Sequence, residues 1–205
     1  MRKKVLATIV AVTMMTSLFS GCADAGNAAA AVTPENEAEE VTEPFTNASE
    51  LYADIIDTLT DKQWYAFAEI SPDTDVLLVT EYTYDNLDGN MAAIDSTIYA
   101  PDKDGKVIEY STVQAAGTSY PLKVYEGCLY VCTGHCVNKL YIDTKNGAVM
   151  TKEYAEEVFD ESGNSTYYYM SLDDESEGED PDNARLKKLF DEFNNKATVI
   201  NFSQK

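Results

Sequence analysis

The sequence predicts a mainly β fold, an antiparallel β meander forming an open sheet or a partial barrel, with peripheral helices at its N- and C-terminal ends. Two patterns predict it. Short runs rich in β-branched and aromatic residues recur between residues 64 and 142, and such residues favour strands. Short turn sequences such as Ser71-Pro72-Asp73 separate the runs. Parallel strands would need much longer crossovers, so neighbouring strands are expected to pair antiparallel.

The folded part is expected to begin with a helix over residues 49–59. Its apolar residues, among them Leu51, Ile55 and Leu59, recur at helical spacing and would lie on one face. Strands are then expected over 64–70, 76–84, 91–99, 106–115, 122–125, 128–132 and 137–142.

The C-terminal third is expected to mix helices and strands. A short helix is predicted over 151–159 and a strand over 165–172, followed by an acidic loop at 173–182. A last helix is expected to open at Asp180-Pro181, because proline suits the first turn of a helix. Residues 197–202 read as a closing strand.

The N-terminus has the pattern of an exported protein. Basic residues at 2–4 precede an uncharged apolar stretch at 5–19. That stretch is shorter than the roughly 20 residues of a membrane-spanning helix, and the arrangement is typical of a secretory signal peptide. Ser20-Gly21-Cys22 then resembles the lipobox of bacterial lipoproteins, with Phe19 in the position usually held by leucine.

This resemblance implies a membrane anchor. Residues 1–21 would be a lipoprotein signal peptide, and the sulfur of Cys22 would take a diacylglyceryl group. Two acyl chains suffice for stable anchoring, so the chain is expected on the extracytoplasmic face of the cell membrane. Residues 22–46 carry acidic side chains and no Lys or Arg, which predicts a disordered tether. Residues 47–205 would form a single globular domain.

The charge excludes one class of partner. The chain has 36 acidic and 15 basic residues and a formal net charge of −21. Removing 1–21, whose only charges are Arg2, Lys3 and Lys4, takes that charge to −24. Nucleic acid is therefore not expected as a partner, since its phosphates require a basic surface.

The domain carries a second resemblance. The runs YAFAEISPDTDVLLVT at 65–80, YAPDKDGKVIEYSTV at 99–113 and TYYYMSL at 166–172 resemble strand and turn patterns of exported lipoproteins of low-GC Gram-positive gut bacteria. The resemblance implies the same extracytoplasmic setting and supplies no activity.

One turn offers a candidate calcium site. Glu69, Ser71, Asp73 and Asp75 place oxygen ligands at alternate positions, as calcium loops do. The glycine and the distal glutamate of the common calcium motif are missing here. The alternative is a polar turn between two strands.

A cysteine cluster is the densest group of reactive side chains. Cys128, Cys132, His135 and Cys136 fall within GCLYVCTGHCV at 127–137. Cys132 and Cys136 would flank a three-residue hairpin loop and could face each other as a disulfide, with Cys128 as a free thiol. Three buried thiols are the alternative. The spacing fits neither common zinc motifs nor haem attachment.

These patterns favour a non-enzymatic binding or interaction module. The sequence has one histidine and fourteen tyrosines, and it lacks the local motifs of phosphate loops and nucleophile elbows. Tyrosines on a sheet can stack on glycans or peptides, so the expected partners are the membrane, through the lipid, and an envelope glycan, peptide or protein. No catalytic residue and no cofactor are predicted. The alternatives are a calcium-stabilised structural envelope protein and a thiol-dependent enzyme or redox protein using Cys132, His135 and Cys136.

Overall fold

A computed structural model describes residues 48–205. The predicted signal peptide at 1–21, the lipidated Cys22 and the tether at 22–46 lie outside the described residues.

The described chain forms three helices and fourteen strands. The helices are α1 (Ala48–Leu51), α2 (Ala53–Thr58) and α3 (Ala184–Asn195). The strands are β1 (Trp64–Ala68), β2 (Val76–Thr80), β3 (Tyr84–Asp85), β4 (Met91–Ala92), β5 (Asp95–Pro101), β6 (Val107–Gln114), β7 (Lys123–Tyr125), β8 (Cys128–Cys132), β9 (Cys136–Asp143), β10 (Ala148–Phe159), β11 (Ser165–Ser171), β12 (Ser176–Glu179), β13 (Thr198–Val199) and β14 (Ser203–Gln204). None of the helices between residues 48 and 205 has the length and apolar character needed to cross a membrane.

The strands build two open antiparallel sheets. The five-stranded sheet has the order β14-β1-β2-β5-β6, the seven-stranded sheet has the order β12-β11-β10-β9-β8-β7-β13, and β3 and β4 form a separate pair. Every strand pair within residues 48–205 is antiparallel. The predicted mainly β, antiparallel fold is confirmed, and the sheets are open.

The two large sheets pack face to face around the main core. Leu78 and Ile98 from the five-stranded sheet meet Leu129 and Ile142 from the seven-stranded sheet, and all four side chains are fully buried. Because side chains alternate along a strand, each sheet also presents a second face, and helices cover part of both.

Helix α3 covers the second face of the seven-stranded sheet. Leu189 and Phe193 of the helix pack against Tyr130 and Val137 of the sheet. This packing buries the apolar stripe of the C-terminal helix, which includes Leu186, Leu189 and Phe193.

Helices α1 and α2 cover part of the outer face of the five-stranded sheet. Tyr52 lies between them, is fully buried, and packs with Leu77 and Val79. Its hydroxyl donates a 2.7 Å hydrogen bond to the backbone carbonyl of Asp75. The single helix predicted over 49–59 is thus two short helices that break at the residue anchored in the sheet.

The helix predicted over 151–159 is wrong. These residues belong to β10, which pairs with β9 on one side and β11 on the other. Lys, Glu and Ala favour helices in isolation, but a strand placed between two others satisfies its backbone on both sides. The alternation of buried Glu153 and Ala155 with more exposed neighbours follows the strand period.

Three smaller expectations change in detail. The acidic loop at 173–182 contains β12, and the closing strand at 197–202 is replaced by the short strands β13 and β14. The last helix begins at Ala184, and the Asp180 carboxylate accepts a 2.7 Å hydrogen bond from the backbone N–H of Arg185. Asp180 therefore caps the helix with its side chain without belonging to it.

Candidate functional site

A cleft of about 380 Å³ opens beside the β7–β8 turn. Pro72, Tyr141 and Leu172 supply apolar surface, while Lys152 and Asp173 supply opposite charges. Ligand clefts commonly measure about 300–1,000 Å³ and combine apolar walls with a few polar groups. The composition and size of this cleft match that description.

A β-bulge places Lys152 in the cleft. Thr151 pairs with Leu140 and Glu153 pairs with Lys139, so Lys152 is the extra residue of β10. A bulge redirects the side chain of the inserted residue. The Lys152 ammonium lies 3.7 Å from the Asp173 carboxylate, and both side chains retain solvent exposure. A ligand that carries a polar group can therefore replace or join this ion pair.

The turn between β7 and β8 forms another wall. Glu126 has φ +48° and Gly127 has φ +68°, and Tyr125 pairs with Cys128 across them. Positive φ at both central residues is the pattern of a tight two-residue hairpin turn. Glutamate rarely adopts this conformation, so a strained residue lies at the cleft, and such strain is common at binding sites.

Cys128 lines the same cleft and is almost completely buried, with 2% of its surface exposed. Burial raises the pKa of its thiol, although the charges of Lys139 and Lys152 act in the opposite direction. A thiol with a raised pKa is a poor nucleophile at neutral pH. The cleft therefore offers a neutral thiol in its wall and a charged pair, without an activated cysteine.

The structure separates Cys132 from Cys136. Cys132 pairs with Val137 across the β8–β9 hairpin, and Thr133 donates a 2.8 Å backbone hydrogen bond to Cys136. Paired residues share a face and successive residues alternate, so the two cysteines point to opposite faces of the sheet. The expectation that they face each other is wrong, because the register places Val137, not Cys136, opposite Cys132. Cys128, Cys132 and Cys136 are free thiols here.

His135 contacts a carboxylate and an aromatic ring. Its Nδ1 lies 2.8 Å from Glu157 Oε2, and its ring meets Phe159 edge-on with the centroids 5.1 Å apart. Ser165 and Tyr167 donate hydrogen bonds of 2.6 and 2.9 Å to the other oxygen of the same carboxylate. The hydrogen bonds with Ser165, His135 and Tyr167, in that order of effect, hold the pKa of Glu157 below its usual value.

This arrangement does not assemble a thiol–histidine site. Nδ1 of His135 contacts the Glu157 carboxylate, and Ser165 donates its hydrogen bond to that carboxylate instead of to the imidazole. Burial raises the pKa of Cys132 to about 12 and also raises that of Cys136. Nucleophilic catalysis requires the base to contact the nucleophile. The residues proposed for the thiol-dependent alternative are thus not brought together.

The candidate calcium ligands also stay apart. Glu69 is exposed, the Asp73 carboxylate accepts a 3.1 Å hydrogen bond from Thr144 Oγ1, and Ser71 Oγ accepts the backbone N–H of Asp73 at 3.4 Å. Among residues 48–205, no group of three or more His, Cys, Asp or Glu side chains is placed to hold a metal ion. Calcium prefers six to eight oxygens, so Glu69, Ser71, Asp73 and Asp75 fit the alternative, a polar turn. Ser71 instead lines the cleft.

Most of the tyrosines are structural. Tyr52 and Tyr130 are fully buried, and Tyr167 and Tyr169 pack on the face covered by α3. Tyr82 is different, because 72% of its surface is exposed.

A buried charge network under α3 has no signal in the sequence. Lys139 Nζ lies 3.4 Å from Glu153 and 3.2 Å from Glu192, and all three side chains are less than 10% exposed. Lys188 adds a contact of 2.8 Å to Glu153. The charged residues of β9, β10 and α3 look like surface residues in sequence, and only the position of the helix over the sheet reveals the pairing.

Comparisons with known proteins do not assign the chain to a family. No protein-family model matches the sequence, no curated protein matches it significantly, and no solved structure matches its fold significantly.

Proposed function

We propose that this protein is a lipid-anchored, extracytoplasmic binding module whose cleft takes a small amphipathic ligand. The observation that carries the proposal is the cleft beside the β7–β8 turn, where apolar walls meet an exposed Lys152–Asp173 ion pair. The apolar part of a ligand would lie on Tyr141, Pro72 and Leu172. Its polar end would reach Lys152 or Asp173.

The anchoring half of the proposal rests on the sequence around Cys22. The basic start, the apolar stretch at 5–19 and Ser20-Gly21-Cys22 are the features on which lipid modification depends. The lipid would hold the domain at the membrane, and the acidic segment at 22–46 would separate the cleft from the bilayer.

A non-catalytic role is supported by the chemistry of the reactive residues. The pKa of each of Cys128, Cys132 and Cys136 is raised by burial, and His135 is engaged with Glu157. Binding requires none of these groups to be activated. The charge pair and the apolar walls of the cleft are sufficient for reversible recognition.

Anchoring is tested by metabolic labelling with a fatty acid followed by membrane fractionation. The wild-type chain should carry label and sediment with membranes, and Cys22→Ser should lose the label and leave the membrane fraction. Cys128→Ser is the matched control and should retain both properties. Label that persists in Cys22→Ser would contradict the anchor.

Binding is tested by a thermal-shift screen of short peptides, oligosaccharides and small amphipathic acids and amines against the full chain. A compound that binds should raise the melting temperature of the wild type and not of Leu172→Trp, which places a larger ring in the cleft. Leu87→Trp, at a side chain that is 92% exposed away from the cleft, should respond as the wild type does. An equal response in Leu172→Trp would place the ligand elsewhere and refute the cleft.

A further inference from the structure

The outer face of the five-stranded sheet has a second, smaller cleft. Its volume is about 240 Å³, and its lining shares no residue with the cleft beside the β7–β8 turn. Helices α1 and α2 pack on Leu77 and Val79, and this cleft opens next to that packed region. It is lined by Gln63, Glu81, Tyr82, Asp95, Thr97 and Tyr99, together with Val79 and Thr80.

The charges of this cleft are all negative. Glu81 and Asp95 are its charged lining residues, and Lys and Arg are absent from the lining. Within residues 48–205, every ion pair involves other carboxylates. Two carboxylates near one cavity repel each other, and the cleft gains most from a ligand that supplies positive charge.

The aromatic lining has the matching chemistry. Tyr82 is 72% exposed, although burying an aromatic ring is normally favourable. The face of such a ring attracts cations, and the attraction grows as the cation loses water. An exposed tyrosine beside two carboxylates that form no ion pair within residues 48–205 is therefore suited to an organic ammonium group.

The backbone around Tyr82 is held in place. Thr80 is 3% exposed, and its Oγ1 accepts the backbone N–H of Tyr82 at 3.2 Å. The same Oγ1 lies 3.3 Å from the Tyr82 carbonyl and 3.4 Å from Asp95 Oδ1. One buried hydroxyl thus fixes the turn that carries the ring relative to the strand that carries the carboxylate.

Polar groups complete the lining. Tyr99 lines the cleft, and its hydroxyl donates a 3.3 Å hydrogen bond to Glu109, so its polar end is already engaged. Burial, followed by the charge of Glu109, raises the pKa of Tyr99, and the phenol stays neutral. Gln63 Oε1 accepts from Thr60, which leaves its amide NH₂ as a donor toward hydroxyl groups of a ligand.

We infer that this cleft binds a small organic ammonium compound, with the ammonium group on the ring of Tyr82 between Glu81 and Asp95. The inference goes beyond the proposed function, because it concerns a different face of the domain and a different ligand chemistry. A quaternary ammonium and a protonated amino sugar share the chemistry that the lining recognises. The two differ in the hydroxyl groups that Gln63 and Thr97 would contact.

Isothermal titration calorimetry on the detergent-solubilised full chain tests this site with choline and glucosamine, and with N-acetylglucosamine as the uncharged counterpart. Choline or glucosamine should bind at millimolar concentration or below, and added salt should weaken the binding. N-acetylglucosamine should bind more weakly than glucosamine. If neither cation binds at millimolar concentration, or if N-acetylglucosamine binds as tightly as glucosamine, the inference is wrong.

Matched variants locate the site. Tyr82→Ala should weaken binding by between about twofold and thirtyfold, the range of cation–π energies, and Tyr82→Phe should retain it because the ring remains. Asp95→Asn removes the charge but keeps an oxygen for Thr80, and it should also weaken binding. Tyr168→Ala, on the other sheet, is the control and should bind as the wild type does. Unchanged affinity in both Tyr82→Ala and Asp95→Asn would overturn the assignment. Leu172→Trp tests the cleft beside the β7–β8 turn separately.

Discussion

Tyr130 on β8 donates a 2.6 Å hydrogen bond to Glu192 on α3, and both residues are buried. Lys139 lies 3.2 Å from the same carboxylate oxygen. Together these contacts join the seven-stranded sheet to the C-terminal helix through the Glu192 carboxylate, which is buried from solvent. The helix is therefore fixed by polar contacts as well as by the apolar packing of Leu189 and Phe193.

Removal of the buried lysine should destabilise the fold strongly. Lys139→Met removes the buried cation between Glu153 and Glu192 and leaves only the half-exposed Lys188 to pair with them. Breaking a buried pair from one side costs about 3–5 kcal/mol. Chemical denaturation monitored by circular dichroism measures the loss. Lys103→Met, whose partner Asp104 is as exposed as the lysine itself, should change the free energy of unfolding by less than about 1 kcal/mol. Equal effects of the two variants would show that the network contributes no more than a surface pair.

The same carboxylate should make stability depend on acid pH. Burial alone would raise the pKa of Glu192, but the hydrogen bond from Tyr130 and the charge of Lys139 together lower it. A pKa lower in the folded chain than in the unfolded chain contributes stability above the unfolded value of about 4.3, and this is lost as pH falls through the folded pKa.

Urea unfolding at a series of pH values from 3 to 7 measures that dependence. Glu192→Gln should be less stable than the wild type at pH 7 and should lose less stability on acidification. Glu161→Gln, at the exposed turn between β10 and β11, should follow the wild-type slope. A wild-type slope in Glu192→Gln would mean that other carboxylates carry the acid sensitivity.

The three thiols of the domain should react slowly and in a defined order. Cys128 and Cys132 are buried, Cys136 is partly exposed, and the pKa of Cys132 is raised to about 12. Iodoacetamide at neutral pH should therefore modify Cys136 first and Cys132 only after denaturation, which peptide mass spectrometry can follow. Fast labelling of Cys132 would contradict its burial. Ready oxidation to a Cys132–Cys136 disulfide would contradict the strand register.

Calcium should leave the melting temperature unchanged. Asp73 is hydrogen-bonded to Thr144, and within residues 48–205 its turn is not part of any group of three or more His, Cys, Asp or Glu side chains that could hold a metal ion. A calcium site at a hundred times its dissociation constant would raise the melting temperature by roughly 5–11 °C for a domain of this size. Calorimetry in EDTA and in millimolar calcium measures the difference, and a rise that disappears in Asp73→Ala would restore the calcium hypothesis.

Most strands were predictable because their signals are local, although the runs predicted as single strands at 76–84 and 91–99 each form two strands. The run from Cys128 to Cys132 has the residues of a strand and forms one with these bounds. The helix predicted over 151–159 was wrong because helix propensity is a property of these residues alone. The two strands that pair with them come from residues before and after them in the chain. Pairing on both sides overrides propensity.

The cleft was only partly predictable. Ser71 and Cys128 stood out in the sequence, but for calcium and thiol chemistry, and both line the cleft instead. Lys152 enters through a bulge that follows from the pairing of β9 with β10. The spacing of residues in the sequence does not indicate this bulge, so nothing in the sequence pointed to Lys152.

The cleft is tested most directly by two-dimensional NMR of the isotope-labelled full chain in detergent, with the compounds that raise its melting temperature. The account predicts that they shift the backbone amides of Gly127, Cys128 and Leu172, and that Leu172→Trp abolishes those shifts. Shifts confined to other parts of the domain, or shifts at these amides that persist unchanged in Leu172→Trp, would contradict it.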